Sequence, residues 1–126
     1  SHIHTNYSPH SGLDELIKSY EFIKEFVKIY DIKRSINIDF TGGEPTVNPN
    51  FWKLVEYIRN DNPDYFLALT TNGAWGKKNL ENVKKYFNGV TISYHAEADI
   101  ELKNNSVDNI IEISKTNIIP IPYFYI

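Results

Sequence analysis

The stretch Ile36-Asn37-Ile38-Asp39-Phe40-Thr41-Gly42-Gly43-Glu44-Pro45 decides the fold. Its β-branched and aromatic residues alternate with polar ones, the period of a strand with one buried face, and put Ile36, Ile38 and Phe40 on that face. The two glycines that follow allow a sharp turn and leave the backbone bare at the strand tip, a place where a chain can lie close against a ligand. Pro45 stiffens the exit.

The same pattern recurs downstream. Asn48-Pro49 supplies an N-cap and first-turn proline for a helix to about Asn60, carried inward by Phe51, Leu54, Val55 and Ile58. Asn62-Pro63 stops it. Tyr65 to Thr71 is a second strand, again ending on a polar tip and a glycine, Thr70-Thr71-Asn72-Gly73. A helix from about Lys78 to Phe87 follows, then a strand from Val90 to His95 with the tip Ser93-Tyr94-His95-Ala96-Glu97. Ser106 caps a helix on Val107, Ile110, Ile111 and Ile113. Ile118 to Ile126 is a last apolar strand, its Pro120 and Pro122 suited to a strand start or an exposed edge. Upstream, Ser1 to Gly12 is polar and without period, and reads as a loop. Ser11 with Asp14 has the form of a capping box for a helix on Leu13, Leu16, Ile17, Tyr20, Ile23, Val27 and Tyr30.

Strands alternating with helices predict βαβ units and a parallel sheet, open or curled into part of a barrel. In such folds ligands bind at the carboxyl ends of the strands, where Thr41 to Glu44, Thr70 to Gly73 and Ser93 to Glu97 all fall. The glycine pattern is not the Gly-x-Gly-x-x-Gly of a dinucleotide site.

Composition narrows the partners. A chain of 126 residues, 41% hydrophobic, is one domain's worth of protein, and its net charge of -3 comes with no basic block. Neither nucleic acid nor an anionic membrane is indicated, no run spans a bilayer and no signal peptide is visible, so a cytoplasmic protein is expected. There is no cysteine, hence neither a disulfide nor a thiolate metal site. Ser1 opens without methionine and Tyr123-Phe124-Tyr125-Ile126 closes in mid-strand, so both ends read as cut.

Thr41-Gly42-Gly43-Glu44-Pro45 with Thr46, then Thr71-Asn72-Gly73, then Ser93-Tyr94-His95, together resemble the core of the radical S-adenosylmethionine (radical SAM) superfamily. The resemblance covers nearly the whole chain. It implies a single partial domain, residues 1–126, forming a partial parallel (β/α) barrel of the TIM-barrel type, truncated at both ends and lacking its first strand and its last one or more. It implies S-adenosylmethionine as the small-molecule partner. The ligand's amino group would be met by the backbone and carboxylate of Gly42, Gly43 and Glu44, and its carboxylate and ribose by Thr71, Asn72, Ser93 and His95; Tyr7 reads equally as an adenine contact or as a tyrosine closing the barrel mouth. Thr41 and Pro45 would frame the motif.

The resemblance also implies a 4Fe-4S cluster held by a Cys-x-x-x-Cys-x-aromatic-Cys loop after the first strand. Here that loop is Ser1-His2-Ile3-His4-Thr5-Asn6-Tyr7-Ser8, with the spacing and the aromatic kept and Ser1, Thr5 and Ser8 at the cysteine positions. Hydroxyls are poor ligands for a cluster that thiolates hold. The reductive cleavage of S-adenosylmethionine to a 5′-deoxyadenosyl radical is therefore expected to be lost.

Two other readings remain open. His2-x-His4-Thr5-x-x-Ser8-x-x-Ser11-Gly12 resembles the opening motif of the polymerase-and-histidinol-phosphatase (PHP) phosphoesterases, in which His2 and His4 would hold a metal ion. A non-catalytic nucleotide-binding module is the other. Glu97 and Asp99 could form an acid/base pair, though carboxylates between a strand and a helix are more often solvated. Trp52 and Trp75 read as packing residues.

Overall fold

A computed structural model describes residues 2–6, 11–31, 36–95 and 98–125, with side chains over 11–31, 36–93 and 98–120. Five strands alternate with four helices: β1 (His2–Asn6), α1 (Leu13–Ile29), β2 (Asn37–Thr41), α2 (Phe51–Asp61), β3 (Phe66–Thr71), α3 (Lys77–Tyr86), β4 (Gly89–His95), α4 (Ile100–Ser114) and β5 (Ile119–Tyr125). The strands form one parallel sheet in the order β1-β2-β3-β4-β5. Each strand lies beside its sequence neighbours and the order never reverses, which is the progression of a barrel wall and not of a doubly wound sheet.

One face of the sheet is dry. Ile36, Ile38 and Phe40 join Leu67 and Leu69 of β3 and Val90 and Ile92 of β4 in a core with Leu16, Tyr20 and Ile23 of α1, Phe51, Leu54, Val55 and Ile58 of α2, Val83 of α3 and Ile113 of α4. Phe40 meets the rings of Phe51 and Phe87 edge-on, at 5.5 and 5.8 Å, a favoured aromatic geometry. The alternate residues Asn37, Asp39 and Thr41 of β2 and Phe66, Ala68 and Thr70 of β3 are only half-buried.

The structure corrects several boundaries, each for an identifiable reason. The segment expected to be a loop contains β1, whose His2 to Asn6 pair in register with Asn37 to Thr41. Its alternation His-Ile-His-Thr-Asn carries almost no apolar signal, and the ladder to β2 supplies what the sequence pattern does not. The chain thus opens on a strand where a loop was expected. Helix α1 is capped by Gly12 with no side-chain bond, so the Ser11–Asp14 capping box does not form. Asn48 is not the cap of α2 either. Its Oδ1 accepts from the Asn50 amide at 2.8 Å and its Nδ2 donates to the Ser11 carbonyl at 3.1 Å, and α2 starts from Asn50.

Helix α4 starts six residues before the expected Ser106. Asp99 caps it by accepting from the Leu102 amide at 2.9 Å, which gives that carboxylate a structural task. The first turn carries no helical period in the sequence because its two large apolar residues, Ile100 and Leu102, stand two apart and are followed by polar Lys103, Asn104 and Asn105; Ile100 is 68% exposed and Leu102 lines the cleft. Pro120 and Pro122 lie within β5, at the sheet's end. The Ile119 amide donates inward to the Asn88 carbonyl at 3.0 Å, so the alternate positions 120 and 122 are the ones whose missing N–H groups face away from β4. Among the described residues no helix is long and apolar enough to cross a membrane.

Candidate functional site

All polar strand tips point to one end of the sheet, and a cleft of about 650 Å³ opens there, lined by Thr41, Gly42, Gly43, Glu44, Thr70, Thr71, Asn72, Ser93, Ala98 and Leu102. Its floor is the end of β2. Gly42 and Gly43 take φ of +88° and +40°, in the left-handed region that side chains disfavour. A Cβ built on either would meet nothing within 4 Å. The glycines are therefore required by conformation, and they leave bare backbone toward open space. Pro45 then begins a single 3-10 turn, Pro45–Val47, and is itself buried, so it shapes the tip from behind.

Glu44 does not project freely into the cleft. Its Oε1 accepts from the Thr71 hydroxyl at 2.7 Å and the Thr46 hydroxyl at 2.8 Å, and its Oε2 accepts from the Asn72 amide at 2.9 Å. A carboxylate has about four acceptor sites, so these three donors leave room for one more on Oε2. The sequence reading gave the carboxylate to a ligand; in the structure it first ties the tip of β2 to the tip of β3.

Thr71 is the hub of that tie. It is buried, donates to Glu44, and accepts from the Gly73 amide at 3.1 Å and the Trp75 indole Nε1 at 3.2 Å. Its hydroxyl is spent on protein partners, so Thr71 lines the cleft but works by holding Glu44. On the far wall Thr70 Oγ1 donates to Asp39 Oδ1 at 3.2 Å, and Ser93 comes from β4. Gly73 has φ of +72°, and a Cβ there would lie 2.9 Å from Ile92 Cγ2, so this glycine is needed for both conformation and space.

Of the residues singled out from sequence, Thr41, Gly42, Gly43, Glu44, Thr71, Asn72 and Ser93 do line the cleft. His95 is placed by backbone alone, at the end of β4 opposite Tyr125. Ser1, Tyr7, Ser8 and Glu97 lie outside the described residues. Thr5 is paired in β1 opposite Phe40, so it sits in the strand and not in a loop beyond it. Thr70, read as part of the second strand tip, lines the cleft too; Ala98 and Leu102 were missed as lining residues, as were the supports Ser106 and Asn109 of α4. The sequence signal for those two was present but ambiguous, since polar residues at helical spacing read as a cap or a wet face.

The donor set of the chain does not suit an iron–sulfur cluster: no thiolate exists anywhere in the 126 residues, and serine and threonine hydroxyls are neutral, hard donors. Among the described residues no group of three or more histidine and carboxylate side chains stands together as a metal site; the side chains of His2 and His4 are not among them. Among the described residues the cleft offers carbonyls, hydroxyls and one carboxylate, and no lysine or arginine. That is a setting for a cationic or neutral polar ligand, since ammonium and sulfonium groups need acceptors or negative potential.

Sequence comparison says which family carries this parallel singly wound sheet and its Gly-Gly-Glu-Pro strand tip. The family model of the radical SAM superfamily matches residues 6–116, most of the chain, and the chain belongs to that superfamily. Among curated proteins it is similar to the GTP 3′,8-cyclase of Aquifex aeolicus (strain VF5), 32% identical over 92 residues, which are 70% of this chain and 29% of that protein. It is also similar to the GTP 3′,8-cyclase of Nautilia profundicola, 37% identical over 79 residues, 62% of this chain and 23% of that one. The matched regions are less than a third of either relative's length.

Proposed function

We propose that this chain is the S-adenosylmethionine-binding part of a radical SAM fold in which radical generation has been lost. The observation that carries the reading is a conjunction: a strand tip with two left-handed glycines over an open polar cleft, in a chain without a cysteine. The carbonyls of Gly42 and Gly43 would accept from the ligand's ammonium. Glu44, with one acceptor site left, would add negative potential beside the ammonium and sulfonium. Asn72, Ser93 and His95 would serve the ligand carboxylate and ribose, and Tyr7 the adenine.

A bound cluster would supply the electron that splits S-adenosylmethionine in the parent family. Without thiolates this chain has no means of holding one, and binding without turnover is the function that remains. The guanine nucleotide named for the cyclase relatives is not carried over, because a triphosphate calls for cations that the described lining lacks.

The test has two arms. Anaerobic reconstitution with iron and sulfide should leave no stable cluster absorbance, and about four irons per chain would contradict the reading. Calorimetric titration with S-adenosylmethionine should show saturable, weak binding, since chelation of the ligand's amine and carboxylate to iron is absent. No binding at millimolar ligand would contradict it equally.

A further inference from the structure

The three buried side chains of α4 are Ser106, Asn109 and Ile113, and two of them are polar. Burying a hydroxyl and an amide on the core face of a helix is unfavourable unless both are hydrogen-bonded. Both are, and to one target. Ser106 Oγ donates to the Asn72 carbonyl at 2.7 Å, with its own Leu102 carbonyl next nearest at 3.0 Å. Asn109 Nδ2 donates to the Gly73 carbonyl at 2.6 Å and the Trp75 carbonyl at 3.1 Å. All three acceptors belong to the segment between β3 and α3, which has no ladder or helix of its own to satisfy them.

The amides of this segment are engaged as well. Asn72 gives its N–H to Glu44 Oε2 at 2.9 Å, Gly73 to Thr71 Oγ1, Ala74 to Asn72 Oδ1 at 2.9 Å, and Trp75 to the Gly73 carbonyl at 3.0 Å. Residue Asn72 thus receives a bond from α4 through its carbonyl and passes one to Glu44 through its amide. The same helix begins at the cleft mouth, where Leu102 is part of the lining.

We infer that Ser106 and Asn109 are positioning residues: through the carbonyls of Asn72, Gly73 and Trp75 they fix the segment whose amide orients the Glu44 carboxylate, and so set how the cleft presents its negative charge. Neither side chain lines the cleft. The proposal rests on the reading of the cleft as an S-adenosylmethionine site only for its ligand arm; the coupling from α4 to Glu44 is measurable with no ligand present.

The experiment is amide hydrogen exchange by NMR on the ¹⁵N-labelled chain, comparing the parent, Ser106→Ala and Ile113→Val. The last variant trims the same buried stripe of α4 while removing no hydrogen bond to the segment, and serves as a control for general loosening. Ser106→Ala should raise the exchange rate of the Asn72 amide relative to the Leu69 amide of β3 by about tenfold, the order expected for one buried hydrogen bond, while Ile113→Val leaves that ratio unchanged. An unchanged ratio in Ser106→Ala, or an equal rise in both variants, overturns the proposal. The ligand arm then separates the two readings. If the parent binds S-adenosylmethionine, Ser106→Ala should weaken binding several-fold and Ile113→Val should not; equal affinities in the parent and Ser106→Ala would overturn the positioning role in binding. If the parent does not bind at all, the proposed function fails and the exchange ratio alone decides whether α4 positions Glu44.

Discussion

The Thr71 hydroxyl donates to Glu44 Oε1 at 2.7 Å, and this bond joins the tips of two neighbouring strands, 27 residues apart in sequence. It makes the strand-tip polar residues a network before any ligand arrives. Thr71→Val keeps the shape of the side chain and removes the hydroxyl, leaving Glu44 Oε1 short of one donor and the Gly73 amide and Trp75 indole without their acceptor. Loss of about 1–3 kcal/mol is expected from orphaned buried groups, measured by urea denaturation. Thr46→Val, at the half-exposed end of the same network, should cost less. Equal and small effects would show that the network is not a structural tie.

The glycines at the two tips should respond differently to the same change. Gly73→Ala meets both a positive φ and a 2.9 Å contact to Ile92 Cγ2, so destabilisation of about 2 kcal/mol or more is expected. Gly43→Ala has the positive φ but open space, and its cost should stay near about 1 kcal/mol. The thermal midpoints of the two variants check this directly. A larger loss for Gly43→Ala would contradict the assignment of Gly43 to an open floor.

A pH dependence follows from the contact between α1 and α2. Lys24 Nζ lies 2.9 Å from Asp61 Oδ2 and the Tyr20 hydroxyl donates to the same oxygen at 2.7 Å, while Asn62 Nδ2 donates to the Tyr20 oxygen. Lys24 first, then Tyr20, hold the Asp61 carboxyl below its ordinary value. Its contribution to stability is therefore present above the unfolded value of about 3.9 and is lost as pH falls through the folded one. Burial, then the bond to Asp61, raises the Tyr20 phenol well above its ordinary value. That contribution is present below about pH 10 and fades as pH rises beyond it. The stability gap between the parent and Asp61→Asn should close in acid, and the gap to Tyr20→Phe should close in alkali. Gaps that do not vary with pH would contradict the assignment.

Much of this architecture was legible in the chain, and the failures share a cause. Strands β2, β3 and β4 announce themselves through Ile38, Phe40, Leu67, Leu69, Val90 and Ile92, whose period of two is also their burial pattern. The first strand was not legible, since His2 to Asn6 carry little apolar alternation and their pairing with β2 is a tertiary fact. The start of α4 was hidden too, because Ile100 and Leu102 stand two apart and so do not mark a helical stripe. At the site, the glycines and hydroxyls of the three tips could be named from sequence because strand ends in parallel sheets converge. That Thr71 and Glu44 would bind each other, and that Ser106 would serve the Asn72 carbonyl, required knowing which segments lie side by side. A capping serine and a mid-helix serine bonding across to a loop have the same letter.

The central claim is that the backbone at Gly42 and Gly43 forms the floor of a binding site for S-adenosylmethionine. The most direct measurement is an NMR titration of the ¹⁵N-labelled chain with that ligand, alongside Gly43→Val. Saturable shifts concentrated at the amides of Gly42, Gly43, Asn72 and Ser93 in the parent, and absent in a folded Gly43→Val, are the predicted result, because a β-branched side chain would stand where the backbone must meet the ligand. Shifts that fall elsewhere, or that persist unchanged in the folded variant, would reduce the strand tip to a turn and contradict the account.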